Sequence, residues 1–319
     1  MSEKSSAIDL NKPIYEQLEK GPKTYLYLAY GSNLCYQTFQ KSRGIKPLAS
    51  VNVQVPTLRL TFDLPCIPYS EPCFANSGIR DPVKDDPIRK PDDKYHKDRW
   101  HKGLIGVVYE VTASDYAHII ATEGGGTSYK DILVLCHPLP HASTVPMLPA
   151  TKPFLAHTLF APVLPHPKPG SPRPVTAEAR FQRPDPSYAQ PSARYLKLIT
   201  DGADEHALPA EYKDYLQAIR PYTATSLRQR LGKAVFAATW LPWLLFVVAL
   251  LRATQNDMGR APRWVQALST ALFAHIWKSY DRVFRPVFGE GERSIPDGGG
   301  RQGGSDCGEK QCLLSDIEG

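Results

Sequence analysis

The stretch Tyr25-Leu26-Tyr27-Leu28-Ala29-Tyr30-Gly31-Ser32-Asn33-Leu34 decides how the rest of the chain is read. Six apolar or aromatic residues in a row, Tyr25 to Tyr30, predict a buried strand. The strand stops at Gly31, where no Cβ hinders a sharp turn. Ser32 and Asn33 follow with short polar side chains beside backbone N–H groups that the strand no longer pairs. Such a corner suits a carboxylate or phosphate. The same pattern also describes an ordinary turn.

Working outward, Val51–Val55 and Leu58–Phe62 alternate apolar with polar residues, the pattern of half-buried strands, with Pro56 at the turn between them. The segment from Leu64 to Asn76 reads as a proline-rich loop leading into another short strand. Its Tyr69 and Phe74 either wall a pocket or fill space behind the loop. Residues 81–102 mix charges of both signs with His96 and His101, which reads as a solvated loop. No carboxylate spacing or soft third ligand supports a metal there.

Gly103–Val111 is the cleanest buried strand. Thr112 or Ser114 then caps a helix carrying Tyr116, Ile119 and Ile120 on one side. The helix runs into Thr122-Glu123-Gly124-Gly125-Gly126-Thr127-Ser128-Tyr129. Ile132–Cys136 and Phe154–Phe160 predict two more strands, and residues 162–191 a proline-rich insertion. Tyr195, Leu198 and Ile199 share a helical face before Gly202. Pro209 opens a second helix bearing Tyr212, Leu216 and Ile219.

Four of these segments resemble the γ-glutamylcyclotransferases. They are Tyr30-Gly31-Ser32-Asn33-Leu34, the proline-aromatic stretch ending in Phe74-Ala75-Asn76, the strand-helix-Glu123-Gly124 unit, and the two helices up to residue 222. The resemblance covers about three-fifths of the chain and leans toward the fungal members. It implies an α+β fold, a small mixed β-barrel with flanking helices, over residues 23–222. It also implies that Glu123 is the proton acceptor and donor. Tyr30, Gly31, Ser32, Asn33, Leu34 and Tyr129 would hold a small-molecule γ-glutamyl substrate, with no metal and no organic cofactor. Similarity to cyclotransferases of gliotoxin-type clusters points to a glutathione conjugate in sulfur-containing toxin biosynthesis. The rival reading is a membrane-tethered, non-catalytic binder of γ-glutamyl metabolites. Glu71, in a loop able to approach the pocket, and Glu110, in a strand, match no role.

Charge and cysteine content narrow the classes further. The net charge of +6 balances 38 basic against 32 acidic residues, and no basic run with interleaved aromatics suggests nucleic acid. Six cysteines without a CxxC pair predict reduced thiols, Cys35 among them as a small buried one. Ser32 lacks the Gly-x-Ser-x-Gly elbow of serine hydrolases. Residues 1–22 read as a polar leader without an apolar signal core, so the catalytic part is expected in the cytosol.

After residue 222 the pattern changes. Ala234–Leu251 carries no charge, with Arg228, Arg230 and Lys233 before it and Arg252 after it. At 1.5 Å per residue it reaches about 27 Å, just enough for a thin bilayer. The same run also describes a buried helix packed on the catalytic domain, or an interfacial helix broken at Pro242. Val265, Leu268, Leu272, Ile276, Tyr280, Val283 and Val287 then recur at helical steps, with Lys278, Arg282 and Arg285 mostly elsewhere. A basic amphipathic helix over 264–287 suits an anionic membrane surface. Residues 223–288 are thus expected to associate with membrane, and 289–319 to be disordered.

Overall fold

The chain closes its first apolar strand into a barrel by pairing it with strands far away in sequence. The computed structural model describes residues 23–81, 97, 100–123, 129–161, 183, 189–257 and 260–294. Strands β1 (Thr24–Ala29), β2 (Ala49–Val55), β5 (Leu104–Thr112), β6 (Lys130–Pro138) and β7 (Phe154–Phe160) form a closed barrel in the order β1-β5-β2-β6-β7. β5 lies antiparallel to β1, setting Tyr27 opposite Tyr109, and antiparallel to β2. It is buried from Leu104 to Tyr109, as expected for a strand covered on both faces. Parallel pairing of β1 with β7, Tyr27 opposite His157, shuts the barrel and leaves it without an open edge.

Between β2 and β5 the chain leaves the barrel for an antiparallel hairpin, β3 (Leu58–Ile67) and β4 (Glu71–Ile79). Here the expected loop from Leu64 onward is strand instead. Pro65 sits opposite Cys73, which a two-stranded ribbon tolerates because each strand keeps one unpaired edge. The turn between the strands holds Tyr69 at φ 63°, and this ring points away from the barrel.

Helix α1 (Ala113–Thr122) starts where Thr112 accepts a hydrogen bond from the Asp115 N–H, settling the cap on Thr112 rather than Ser114. Helices α2 (Ala193–Glu205) and α3 (Ala210–Gln217) close the other side of the barrel core. Gly202 lies inside α2. A Cβ there would come within 2.5 Å of the Leu34 carbonyl carbon and 2.6 Å of the Cys35 nitrogen. Only glycine lets α2 approach the loop after β1 this closely.

The remaining elements build a second, smaller core. Helix α4 (Leu227–Thr254) folds back against α5 (Arg263–Ser279), a π-helical turn over Tyr280–Phe284, and α6 (Arg285–Phe288). Phe236, Ile276, Trp277, Tyr280 and Phe284 pack with Tyr69 from the β3–β4 turn. Of the two readings of Tyr69, space-filling is the one realised. The Tyr69 N–H donates to the Gly291 carbonyl (2.7 Å) and its hydroxyl to that of Gly289 (2.8 Å). Residues 289–294 are therefore folded against the domain, and the expected disorder does not begin at 289. The leader 1–22, most of the 81–102 loop, Gly124–Ser128, the bulk of 162–191 and residues 295–319 lie outside the described residues. Among the described residues one helix, α4, is long and apolar enough to cross a membrane.

Candidate active site

At the open end of β1 the chain makes a single 3₁₀ turn, Ser32–Leu34. The Leu34 N–H donates back to the Gly31 carbonyl (3.0 Å) and that of Cys35 to Ser32 (3.2 Å). Leu34 thus spends its donor inside the turn, and its side chain is fully buried in the core, away from the cleft. Gly31 has φ −112°, so left-handed geometry is not what selects glycine here. Space is the reason: a Cβ would meet the Tyr195 hydroxyl at 3.1 Å.

The cleft beside this turn is lined by Tyr27, Tyr30, Gly31, Ser32, Asn33, Ala75, Glu123, Tyr129, Leu159 and Tyr195. Six of the seven residues expected at the site from sequence meet there, and Leu34 does not. Glu123 arrives as the residue that ends α1, its N–H donating to the Ile119 carbonyl (3.0 Å). The Asn33 carboxamide, almost wholly buried, ties the two halves together. Its Nδ2 donates to the Tyr27 hydroxyl (2.9 Å) and to Glu123 Oε1 (3.0 Å). Its Oδ1 has no hydrogen-bond partner.

Arg43 is the participant that sequence reasoning missed. It sits at the end of a π-helical turn, Gln37–Ser42, directly before Gly44 at φ 69°. Its Nη1 lies 2.6 Å from Glu123 Oε1 and donates to Thr122 Oγ1 (2.8 Å). No spacing rule links residue 43 to residue 123. The contact exists because the barrel brings the segment after β1 against the end of α1. Tyr27 and Tyr195 were visible as members of apolar patterns but not as cleft residues.

The phenols lining the cleft share one electrostatic trend. Burial first, and the nearby Glu123 charge second, push the Tyr27 and Tyr129 phenols well above their usual range. Burial likewise raises Tyr30 and Tyr195, against partly offsetting hydrogen bonds. All four stay neutral at physiological pH. Burial pulls the Arg43 guanidinium down, but Glu123 outweighs it and the group stays charged. Glu123 is the only carboxylate among the described lining residues.

The other acids are engaged elsewhere. Glu71 pairs with Arg194 (2.7 Å) and accepts from Ser192, and Glu110 accepts from Thr24 Oγ1 (2.9 Å). Phe74 packs on Tyr195, ring centroids 4.7 Å apart, without lining the cleft itself.

Comparison with known proteins supplies the family. Residues 226–287 match the family described as the AclK C-terminal domain. The chain is 31% identical to the gamma-glutamyl cyclotransferase gliK of Aspergillus fumigatus over 268 residues, covering 83% of this chain and 88% of that protein. It is 32% identical to the gamma-glutamyl cyclotransferase aclK of Aspergillus oryzae over 279 residues, covering 85% and 90%. A solved gamma-glutamyl cyclotransferase overlays with a TM-score of 0.41 at 19% identity, over 64% of this chain and 92% of that one. The two sequence relatives carry the assignment: this chain belongs to the gamma-glutamyl cyclotransferase family.

Proposed function

We propose that the protein releases 5-oxoproline from a γ-glutamyl peptide or glutathione conjugate, with Glu123 as the proton carrier. The α-amine nitrogen of the γ-glutamyl group attacks its own γ-carbonyl carbon. A C–N bond closes the five-membered lactam, and the amide C–N bond to the rest of the substrate breaks. Because attack is internal, the enzyme chiefly has to fold the substrate. Glu123 accepts a proton from the attacking nitrogen and returns it to the departing one, so the overall reaction consumes no water.

One observation carries the reading: the Asn33 carboxamide in the turn after β1 donates to Glu123 Oε1 at 3.0 Å, so the turn and the carboxylate face one cleft. The unpartnered Asn33 Oδ1 suits an N–H of the substrate amine, since a buried acceptor is costly to leave unmade. Backbone N–H groups of Gly31, Ser32 and Asn33 suit the substrate carboxylate and the developing oxyanion. Arg43 can exchange Glu123 for the carboxylate of an entering substrate, freeing the base as the site fills. Tyr30 and Tyr129 wall the glutamate end. The resemblance of the Tyr30–Leu34 and Glu123–Tyr129 segments to cyclotransferases of gliotoxin-type clusters makes a glutathione conjugate from sulfur-containing toxin biosynthesis the natural substrate we propose. Anchoring to membrane by the C-terminal helices belongs to the same proposal.

The test is a substrate panel with the full-length protein: glutathione, a γ-glutamyl dipeptide and a glutathione S-conjugate, with 5-oxoproline measured. Release from at least one, fastest from the conjugate, is expected. Tight binding of all three without any release would instead leave a non-catalytic binder.

A further inference from the structure

The C-terminal hairpin keeps much of its apolar surface on the outside. Along α4, Gly232, Phe236, Val247 and Leu251 face inward. Leu231, Leu241, Trp243, Leu245 and Phe246 are all exposed, and Trp264 on α5 adds to them. A monomer rarely leaves so continuous an apolar surface in water.

Both ends of α4 are fastened to the body of the protein. Near its start, Gln229 Nε2 donates to the Glu290 carbonyl (2.8 Å), and Phe236 packs against Tyr69 with ring centroids 6.0 Å apart. Just past its end, Gln255 Nε2 donates to the Ala121 carbonyl (2.9 Å) in the last turn of α1. A helix crossing a bilayer must put its ends on opposite sides, and this one has both ends on one folded domain. Pro242 adds to this, because it leaves the Ala238 carbonyl without its helical donor, a group better placed near water than in hydrocarbon.

Charge chooses the occupant. From Ser226 to Arg285 the chain carries nine basic side chains, all exposed, and two acids, Asp257 and Asp281. Asp281 is held by Arg183 (2.6 Å). In a symmetric pair of copies the same cationic rim would meet itself, a repulsive arrangement. An anionic lipid surface complements both the apolar face and its rim.

We infer that α4 and α5 lie flat on an anionic bilayer, with the side chains of Leu241, Leu245 and Phe246 dipped into the headgroup boundary and no segment crossing. The inference rests on the membrane-anchoring reading and specifies its geometry. Because Gln255 holds Ala121, the segment joining α4 to α5 touches α1 two residues before Glu123.

The experiment uses full-length protein with vesicles of phosphatidylcholine alone and of phosphatidylcholine with phosphatidylserine, followed by an alkaline carbonate wash. Binding should be roughly tenfold or more stronger to the anionic vesicles, and the wash should release it. The double variant Leu245→Ser/Phe246→Ser alters only exposed positions. It should partition about a hundredfold more weakly while releasing 5-oxoproline in solution at the unchanged rate. Binding to neither vesicle would overturn the membrane reading itself. Retention through carbonate would keep that reading and overturn the flat geometry. A solution dimer abolished by the double variant, without vesicle binding, would assign the face to a second copy and overturn both.

Discussion

The barrel and the C-terminal hairpin are both rich in apolar residues and put them to opposite uses. In the barrel, Leu28, Val53 and Ile105 are fully buried. In the hairpin, Leu227 is 79% exposed and Trp243 60%, while its inner face rests on the Tyr69 turn. Apolar content therefore does not by itself say which side faces in. What differs is closure: the barrel strands use up every edge, whereas two helices packed side by side cover only one face of each.

This contrast predicts that substitutions in the barrel half disturb chemistry, while those in the hairpin disturb attachment. The largest expected effect is at Glu123. Glu123→Gln should lower 5-oxoproline release by about a thousandfold with an unchanged melting temperature, as read by product assay and calorimetry on the same preparation. Next comes Arg43→Ala, which removes the cation 2.6 Å from Glu123. A loss of roughly ten- to a hundredfold in kcat/KM is expected, carried mostly by KM if Arg43 meets the substrate carboxylate. An unchanged KM would assign Arg43 to holding α1 alone.

A matched pair of glycine substitutions compares the two regions directly. Gly202→Val drives a side chain into the Leu34–Cys35 backbone and should cost about 1–3 kcal/mol along with activity. In Gly232→Val the added Cβ would lie 2.5 Å from Phe288 Cβ, so α6 must move off α4. That variant should lose vesicle binding while keeping 5-oxoproline release, and loss of catalysis with intact docking would reverse the division of labour. The smallest effect is on pH. Burial pushes the Glu292 carboxyl up to about 7, against the opposing pull of Arg183, with Glu290 and Asp281 adding to the rise. A carboxyl raised on folding binds more protons in the folded state. Its stabilising contribution is then complete below the ordinary carboxyl range and is lost as pH rises through about 7. Hydrogen exchange of residues 289–294 should quicken across that window, and Glu292→Gln should flatten the dependence.

How much was legible in the sequence follows from distance along the chain. The β1 corner was readable because strand, glycine and polar residues are consecutive, and Glu123 because strand, helix and glutamate are consecutive too. Arg43 and Tyr195 were not, because only barrel closure and the close approach at Gly202 bring them to the cleft. β3 ran on through Pro65 because an outer edge forgives a missing N–H, which local proline content does not reveal. The glycine-rich run from 289 looked disordered, yet its backbone bonds to Tyr69 and Tyr280 are tertiary and leave no local mark.

The claim on which everything else depends is that the substrate's own amine, not water, cleaves the γ-glutamyl bond in the cleft between Asn33 and Glu123. Turnover in water enriched in heavy oxygen, with products read by mass spectrometry, tests it most directly. Unlabelled 5-oxoproline as the sole glutamate-derived product is the expected result. Free glutamate carrying one heavy oxygen would show hydrolysis and contradict the mechanism.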